Sequence, residues 1–392
     1  EAWKPVTNET AIDSMDGETS SWQYRQGVVI TNSSGSNLTD FQVPVTVNTS
    51  ALISGGKMQS NCADMRFADS SGNILSSWIE ENNPGCDNAA TKVWVKVSSL
   101  PTSGATIYMY YGNSIAVNNQ NGDRVFDFFD DFNASSINTN KWDTSNATGF
   151  SNSGGYLVQN GVNQYFVHSN YSVSAPFILN TKVQGITNAS IYHTELGLFS
   201  STSVDLCYSS YVGGDYAFNN GAGTYPAGSQ TLASRTLQIK AGSSSNVTLT
   251  SSDGINESYT NAIANEKIRF GYRCDNQGTG YSVNYQWDWV YLRKYAATEP
   301  TAGTPAAEET FASHAGAWLK SVALWNISTD TLPLKSGSIT NSQDTTIKAE
   351  GTGSMKSTIG APQVDTNTVG LWHMDETSGT GAYIKDSAGS LV

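Results

Sequence analysis

Phe41-Gln42-Val43-Pro44-Val45-Thr46-Val47-Asn48 alternates apolar and polar side chains without a break. Period two puts Phe41, Val43, Val45 and Val47 on one face of a strand and their neighbours on the other, the pattern of a half-buried strand. Pro44 cannot donate to a ladder, so this strand is expected at a sheet edge. The alternation returns at Val93, Val95 and Val97, and at Ile107, Met109 and Tyr111. Between them, Met65 and Phe67 lead into Ser70-Ser71-Gly72-Asn73, a turn sequence, ahead of Ile74 and Trp78. Ala51 to Gly55 reads as one short helix.

Downstream, Gly112 to Gly122 is polar and rich in Gly and Asn, as an interdomain linker would be. Further strands are expected near Tyr156–Val158, Phe177–Val183, Tyr192–Phe199, Leu206–Tyr211, Leu237–Ile239, Val247–Leu249, Ile268–Cys274 and Tyr281–Tyr291. Gly/Ser turns separate them at the spacing of an all-β sandwich. In the last strand, period two places Tyr281, Val283, Tyr285, Trp287, Trp289 and Tyr291 on one face. They read as core, with a sugar-stacking platform as the alternative. Ala296 to Ala307 is Pro/Thr/Ala-rich, the composition of a stiff linker. Residues Glu1 to Ser21 show no clear periodicity and read as a flexible leader or as an arm that pairs with a neighbouring subunit.

The bulk numbers narrow the function classes. The 392 residues are enough for two or three domains. Only 14% are charged while 11% are aromatic, which is not a disordered composition. A net charge of −13 argues against nucleic acid, whose partners carry a basic stripe. No apolar run is long enough to span a membrane. The opening Glu1-Ala2-Trp3 resembles a mature, processed product.

Three stretches carry family resemblances. WQYRQGVVITNSSGSNLTDFQVPVTVNTSALIS from Trp22, the KMQSNCAD segment and the TIYMYYGN exit resemble the domain-of-unknown-function family 2341, found in secreted and surface proteins of archaea and bacteria. FDFFDDFNASSINTNKW from Phe126 and YQWDWVYLRKYAATEP near Trp287 resemble the two ends of a concanavalin-like (laminin-G-like) sandwich. VGLWHMDETSGTGAYIKDSAGSLV from Val369 resembles the opening strands of a further one. The resemblances imply an all-β chain of tandem antiparallel β-sandwich (jelly-roll, concanavalin-like) domains. The expected order is an arm at 1–21, a sandwich at 22–122, a concanavalin-like sandwich at 123–297, a linker and small β-unit at 298–368, and at 369–392 the start of another domain or an assembly strand.

These modules divide the four cysteines into one pair each, Cys62 with Cys86 and Cys207 with Cys274. No Cys-x-x-Cys occurs and the four His are scattered, so structural disulfides in an oxidising compartment are expected rather than zinc. Asp127, Asp130 and Asp131 crowd the first strand of the second module and Asp288 sits in its last. Resemblance to concanavalin-like domains implies that such strands lie close, and that Asp130, Asp131 and Asp288 could hold a structural calcium, the only cofactor expected. Asn-x-Ser/Thr sequences, candidates for glycosylation, start at Asn8, Asn32, Asn37, Asn48, Asn133, Asn146, Asn170, Asn188, Asn246, Asn256 and Asn326.

Catalysis finds little support. Concanavalin-like glycosidases place paired acids on one strand as Glu-x-Asp-x-x-Glu or Glu-x-Asp-x-Glu, and the nearest strand here, His193 to Gly197, has Glu195 alone. No nucleophile elbow, phosphate loop or His-Glu-x-x-His occurs. The chain therefore reads as a non-catalytic extracellular structural or adhesive protein, a subunit of an appendage, filament or surface layer that self-associates through β-strand contacts. The alternative is a carbohydrate-binding array for polysaccharide, with Trp142, Tyr165, Tyr171, Tyr208, Tyr211 and Tyr216 as candidate rings at loop tips. A glycoside hydrolase is the remaining one.

Overall fold

The structure is a computed structural model. It describes residues 22–310, except 163–164, 185–192, 201–203, 212–213, 220–221, 225–233, 243–245 and 272–281, and separately a two-stranded antiparallel hairpin at 339–344 and 354–359. The chain divides into Glu1–Ala323 and Leu324–Val392. The architecture is antiparallel β almost throughout.

The first sandwich comprises β1 (Tyr24–Thr31), β2 (Leu38–Val47), β3 (Arg66–Asp69), β4 (Ile74–Leu75), β5 (Ser77–Ile79), β6 (Thr91–Leu100) and β7 (Ala105–Tyr111). One sheet contains β1-β7-β3-β4 and the other is β2-β6-β5. Strand β2 is indeed an edge, with Pro44 opposite Trp94. Phe41, Val43, Val45 and Val47 point inward to meet Val28, Ile30, Phe67, Ile107 and Met109 of the other sheet. The short helix α1 (Thr49–Ser54) starts where Asn48 Oδ1 accepts from the Ala51 amide at 3.0 Å, and so supplies an N-cap.

The second sandwich follows with β8 (Phe128–Asp130), β9 (Trp142–Asp143), β10 (Phe150–Ser153), β11 (Tyr156–Val162), β12 (Phe166–Val173), β13 (Phe177–Gln184), β14 (His193–Phe199) and β15 (Val204–Tyr211). It continues with β16 (Gly214–Asn219), β17 (Ala222–Thr224), β18 (Arg235–Ala241), β19 (Asn246–Ser251), β20 (Asn256–Thr260), β21 (Glu266–Gly271) and β22 (Ser282–Arg293). The order β10-β11-β22-β13-β18-β19-β20 makes one sheet, with β8 also on β22, and β17-β16-β15-β14-β21-β12-β9 makes the other. Between them lie Leu179, Leu196, Leu198, Leu237, Ile239, Phe270 and Trp287, all buried.

Two expectations are corrected. The aromatic residues of β22 do not share a face. Lys182 pairs with Trp289 and the next residue, Val183, pairs with Trp287, so Asp288 is an extra residue in a bulge. A one-residue insertion in a period of two exchanges the faces. Tyr285 and Trp287 therefore enter the sandwich core, while Trp289 and Tyr291 turn outward against the first sandwich. Tyr281 lies outside the described residues.

The Pro/Thr/Ala-rich stretch is the second correction. Rather than a free linker, it returns to the first sandwich as β23 (Thr301–Ala302) and β24 (Glu309–Thr310), both paired with β1. Gly303 N donates to Val29 O and Ala306 N to Gly27 O, both at 2.8 Å, so the strap follows β1 along most of its length. It covers an edge that would otherwise offer unpaired amides and carbonyls. Salt bridges Arg25–Glu309 (2.6 Å) and Lys57–Glu308 (2.7 Å) and a bond from the Tyr111 hydroxyl to Glu308 hold it down. Gly112 to Gly122 is likewise laid on the first sandwich: Gln59 donates to the Asn113 and Ala116 carbonyls, and Arg66 to that of Val117.

Candidate functional site

The outward face of β22 meets β5 and β6 in an aromatic seam of Trp78, Trp94, Phe126, Phe129, Trp289 and Tyr291, all buried with Val125. Phe126 stacks on Tyr291 at 4.3 Å between ring centres, and Trp78 is edge-on to Phe129 at 5.0 Å. Such ring pairs add to the ordinary gain from removing aromatic surface from water. The one-turn helix α2 (Gly122–Val125) brings the chain across. A Cβ at Gly122 would come within 2.3 Å of the Phe129 ring, so only glycine permits this approach.

Glu80 is the polar hub of the seam. It is 1% exposed and accepts from Trp94 Nε1 (2.6 Å), the Tyr291 hydroxyl (3.0 Å), Lys92 Nζ (2.9 Å) and Asn83. Four donors satisfy a buried carboxylate that would otherwise be costly. Burial foremost, and then the adjacent Glu80 charge, push the Tyr291 phenol well above its ordinary pKa.

Beside the hub, the bulge residue Asp288 accepts from Asn82 at 3.1 and 3.2 Å and lies 3.4 Å from Lys182 Nζ. Burial raises the Asp288 pKa, against the lowering effects of Lys182 and Asn82. Lys182 also donates to the Asn82 carbonyl, a second bond between the sandwiches.

Between the sandwiches runs a cleft of about 370 Å³. Lys92 and Trp94 line it from the first sandwich; Asn180, Gln238, Thr250 and Arg293 line it from the second. Arg293 stacks over Trp94 at 4.8 Å and pairs with Glu299 at 2.5 Å.

The three carboxylates expected at a calcium site each accept from protein donors. Asp130 accepts from Phe132 N (2.9 Å) and Trp142 Nε1 (2.7 Å), Asp131 from Asn133 N (3.2 Å), and Asp288 from Asn82. Among the described residues no cluster of three or more His, Cys, Asp or Glu is arranged to hold a metal ion. Burial raises the Asp130 pKa, which the Trp142 bond partly offsets.

Glu195 is fully buried at a second bulge, between Thr194 and Leu196 of β14, and pairs with Arg235, which also reaches Asp253 at 2.8 Å. It lies inside the sandwich. In the same sheet as Glu195, Arg269 of β21 lies over Phe166 (5.4 Å) and Phe199 (4.9 Å), and His168 Nε2 of β12 is 3.2 Å from Asp143. Burial lowers the His168 pKa, outweighing the Asp143 charge.

The aromatic candidates divide. Trp142 is 1% exposed and belongs to the core, Tyr165 is half-buried, and Tyr171 is 42% exposed. The side chains of Tyr208, Tyr211 and Tyr216 lie outside the described residues. Cys62 and Cys86 form a disulfide. Cys207 is also disulfide-bonded, and Cys274 lies outside the described residues. Among the Asn-x-Ser/Thr sites, Asn37, Asn48, Asn133, Asn170, Asn246 and Asn256 are exposed and Asn146 is half-buried; Asn8, Asn188 and Asn326 lie outside the described residues. Asn32 is a correction: it is buried, and its amide donates to the carbonyls of Ser36, Leu100 and Pro101. Sequence reasoning missed the Glu80 hub, whose only signal was an acid two residues after Trp78.

The profile of a family described as Domain of unknown function (DUF2341) matches residues 61–145. That span contains Trp78, Trp94, Phe126 and Phe129, which face one another across the seam. No curated protein matches the chain. Solved structures that resemble it include LamAcat from Zobellia galactanivorans, at 9% identity over 43% of this chain and 97% of that one, with a TM-score of 0.33. Others are β-agarase A in complex with oligoagarose (12% identity, 44% and 91% covered, TM-score 0.33) and a Bacillus licheniformis β-glucanase (12%, 43% and 98%, TM-score 0.32). Identities this low carry no catalytic residues across.

Proposed function

We propose that this protein is a non-catalytic extracellular component of a cell surface, structural or adhesive, which self-associates through β-strand contacts. The observation that carries the reading is the strap on β1. Tyr24 pairs with Thr310, so these two positions stand side by side on neighbouring strands of one sheet. In this reading an arm that continues from either position adds a strand to a neighbouring subunit, where main-chain hydrogen bonds supply affinity.

The seam supports the same role, because aromatic packing and the Glu80 and Asp288 bonds couple the two sandwiches laterally. The Cys62–Cys86 bridge suits an oxidising compartment. The buried acids Glu80, Glu195, Asp130 and Asp288 are each engaged by protein donors, which favours a structural use over hydrolysis. In this reading no cofactor is required.

Electron microscopy and light scattering on the native, glycosylated protein test the proposal. Filaments, sheets or defined oligomers are expected. A uniformly monomeric protein would remove the assembly role, and turnover of a polysaccharide would remove the non-catalytic one.

A further inference from the structure

Lysine–carboxylate pairs recur through the described residues, and one of them differs from the rest. Lys57, Lys92, Lys141 and Lys240 keep between 24% and 39% of their side-chain surface exposed. Lys182 keeps 6%, and its partner Asp288 keeps 2%. An exposed pair stays ionised because water solvates both charges. Burial at both ends removes that support and favours the uncharged forms, an amine beside a carboxylic acid. It also keeps out the water that would reverse a condensation between them.

The local geometry brings the two groups together and holds them. Asp288 is the extra residue of the β22 bulge and lies opposite the step from Lys182 to Val183, with its Oδ2 3.4 Å from Lys182 Nζ. Asn82 of the first sandwich clamps both partners. Its backbone carbonyl accepts from Lys182 Nζ, while its side-chain amide donates to both Asp288 oxygens, at 3.2 and 3.1 Å. The Asn82 backbone sits at φ 53°, in the left-handed region that Asn tolerates better than most residues. Next to it, Glu81 is held by a bond from Asn133 at 3.1 Å. Burial foremost, and more weakly the Asp131 and Asp288 charges, raise the Glu81 pKa against that bond, which favours a proton on its carboxylate.

We infer that Lys182 and Asp288 condense into an intramolecular amide, an isopeptide bond between β13 and β22. The ammonium first passes a proton to the carboxylate. The Nζ lone pair then attacks Cγ and forms the C–N bond, while the Asn82 amide steadies the oxygen on which charge collects. Glu81 gives its proton to the departing hydroxyl and takes one from Nζ, so the C–O bond breaks and one water leaves. An ammonium and a carboxylate become an amide and water, with no oxidant, reductant or outside reagent. Holding both groups in contact supplies the proximity that two free molecules lack. The bond would lock neighbouring strands in the middle of their sheet, one of which, β22, carries Trp289 and Tyr291 of the seam. This inference is independent of assembly, since a monomer can be cross-linked and an assembling protein can lack the bond.

The test is mass spectrometry of the full chain after reduction, denaturation and proteolysis. Stability measurements register the coupling of the two groups in either state; only the mass separates an amide from an ion pair. The expected product is a branched species that joins the peptides carrying Lys182 and Asp288 and is lighter than the two together by one water. Recovery of both as separate, full-mass peptides overturns the inference, whether or not any variant folds. Lys182→Arg keeps the positive charge and should give separate peptides; a branched species that survives it also overturns the assignment. Asn82→Gly removes the amide but keeps the backbone carbonyl and suits the left-handed backbone. Asn82→Gly and Glu81→Gln should each lower the linked fraction at least tenfold at equal times after synthesis. A linked fraction unchanged in both overturns the mechanism assigned to these two residues.

Discussion

The carboxylate of Glu80 in the first sandwich accepts from the hydroxyl of Tyr291 in the second at 3.0 Å, with both side chains buried. This bond crosses the seam between the sandwiches. A hydrogen bond to a charged group contributes about 1.5–3 kcal/mol, and Glu80 keeps three other donors when this one is lost. Tyr291→Phe should therefore cost about 1–2 kcal/mol. Urea unfolding of the full chain, followed by tryptophan fluorescence, measures it. If Tyr291→Phe is as stable as the parent, the bond contributes nothing.

Asp288 and Lys182 should show strong coupling. Both are nearly buried and 3.4 Å apart, so removing either leaves an uncompensated charge. Asp288→Ala alone should cost about 3–5 kcal/mol, whereas Asp288→Leu with Lys182→Met should recover most of the loss. A double-mutant cycle decides, and additive effects would contradict the pairing.

His168 makes stability depend on pH. Its folded pKa lies below the ordinary value of 6.5 because burial disfavours the cation, with Lys267 and Arg269 acting in the same direction and Asp143 opposing. The unfolded chain then takes up its proton at higher pH than the folded one. Stability should fall as pH drops below about 6.5 toward the depressed folded value, by less than about 1.4 kcal/mol per unit. His168→Gln should flatten that part of the profile relative to the parent, as read from melting curves at closely spaced pH. An unchanged slope would assign the dependence to other groups.

Replacing Cys62 and Cys86 together by Ala opens a bridge with a sequence separation of 24. The chain-entropy cost of leaving such a loop unclosed is about 3 kcal/mol. Chemical denaturation should show that loss; stability equal to the parent would mean that the bridge adds nothing.

Much of the fold was legible locally. Pro44 marks the edge strand and the valine alternation marks its inward face, because strand period and proline chemistry act within a few residues. The β22 aromatics misled because one bulged residue, Asp288, exchanges the faces of everything after it. Nothing in a run of alternating side chains marks where such an insertion falls. Asn32 matched a glycosylation sequence, yet its amide is consumed by three backbone carbonyls, one as far along the chain as Pro101.

The amino-acid order alone pointed to an all-β chain through side-chain alternation, and its family resemblances implied tandem antiparallel sandwiches with one cysteine pair each. Only the tertiary structure decided that Trp289 and Tyr291 join two sandwiches, that residues 301–310 close the first sheet, and that Asn180, Gln238 and Thr250 line one cleft. Each depends on contacts between residues far apart in sequence, such as Glu80 and Tyr291. Their registers are set by the packing of whole sheets, which no local pattern encodes.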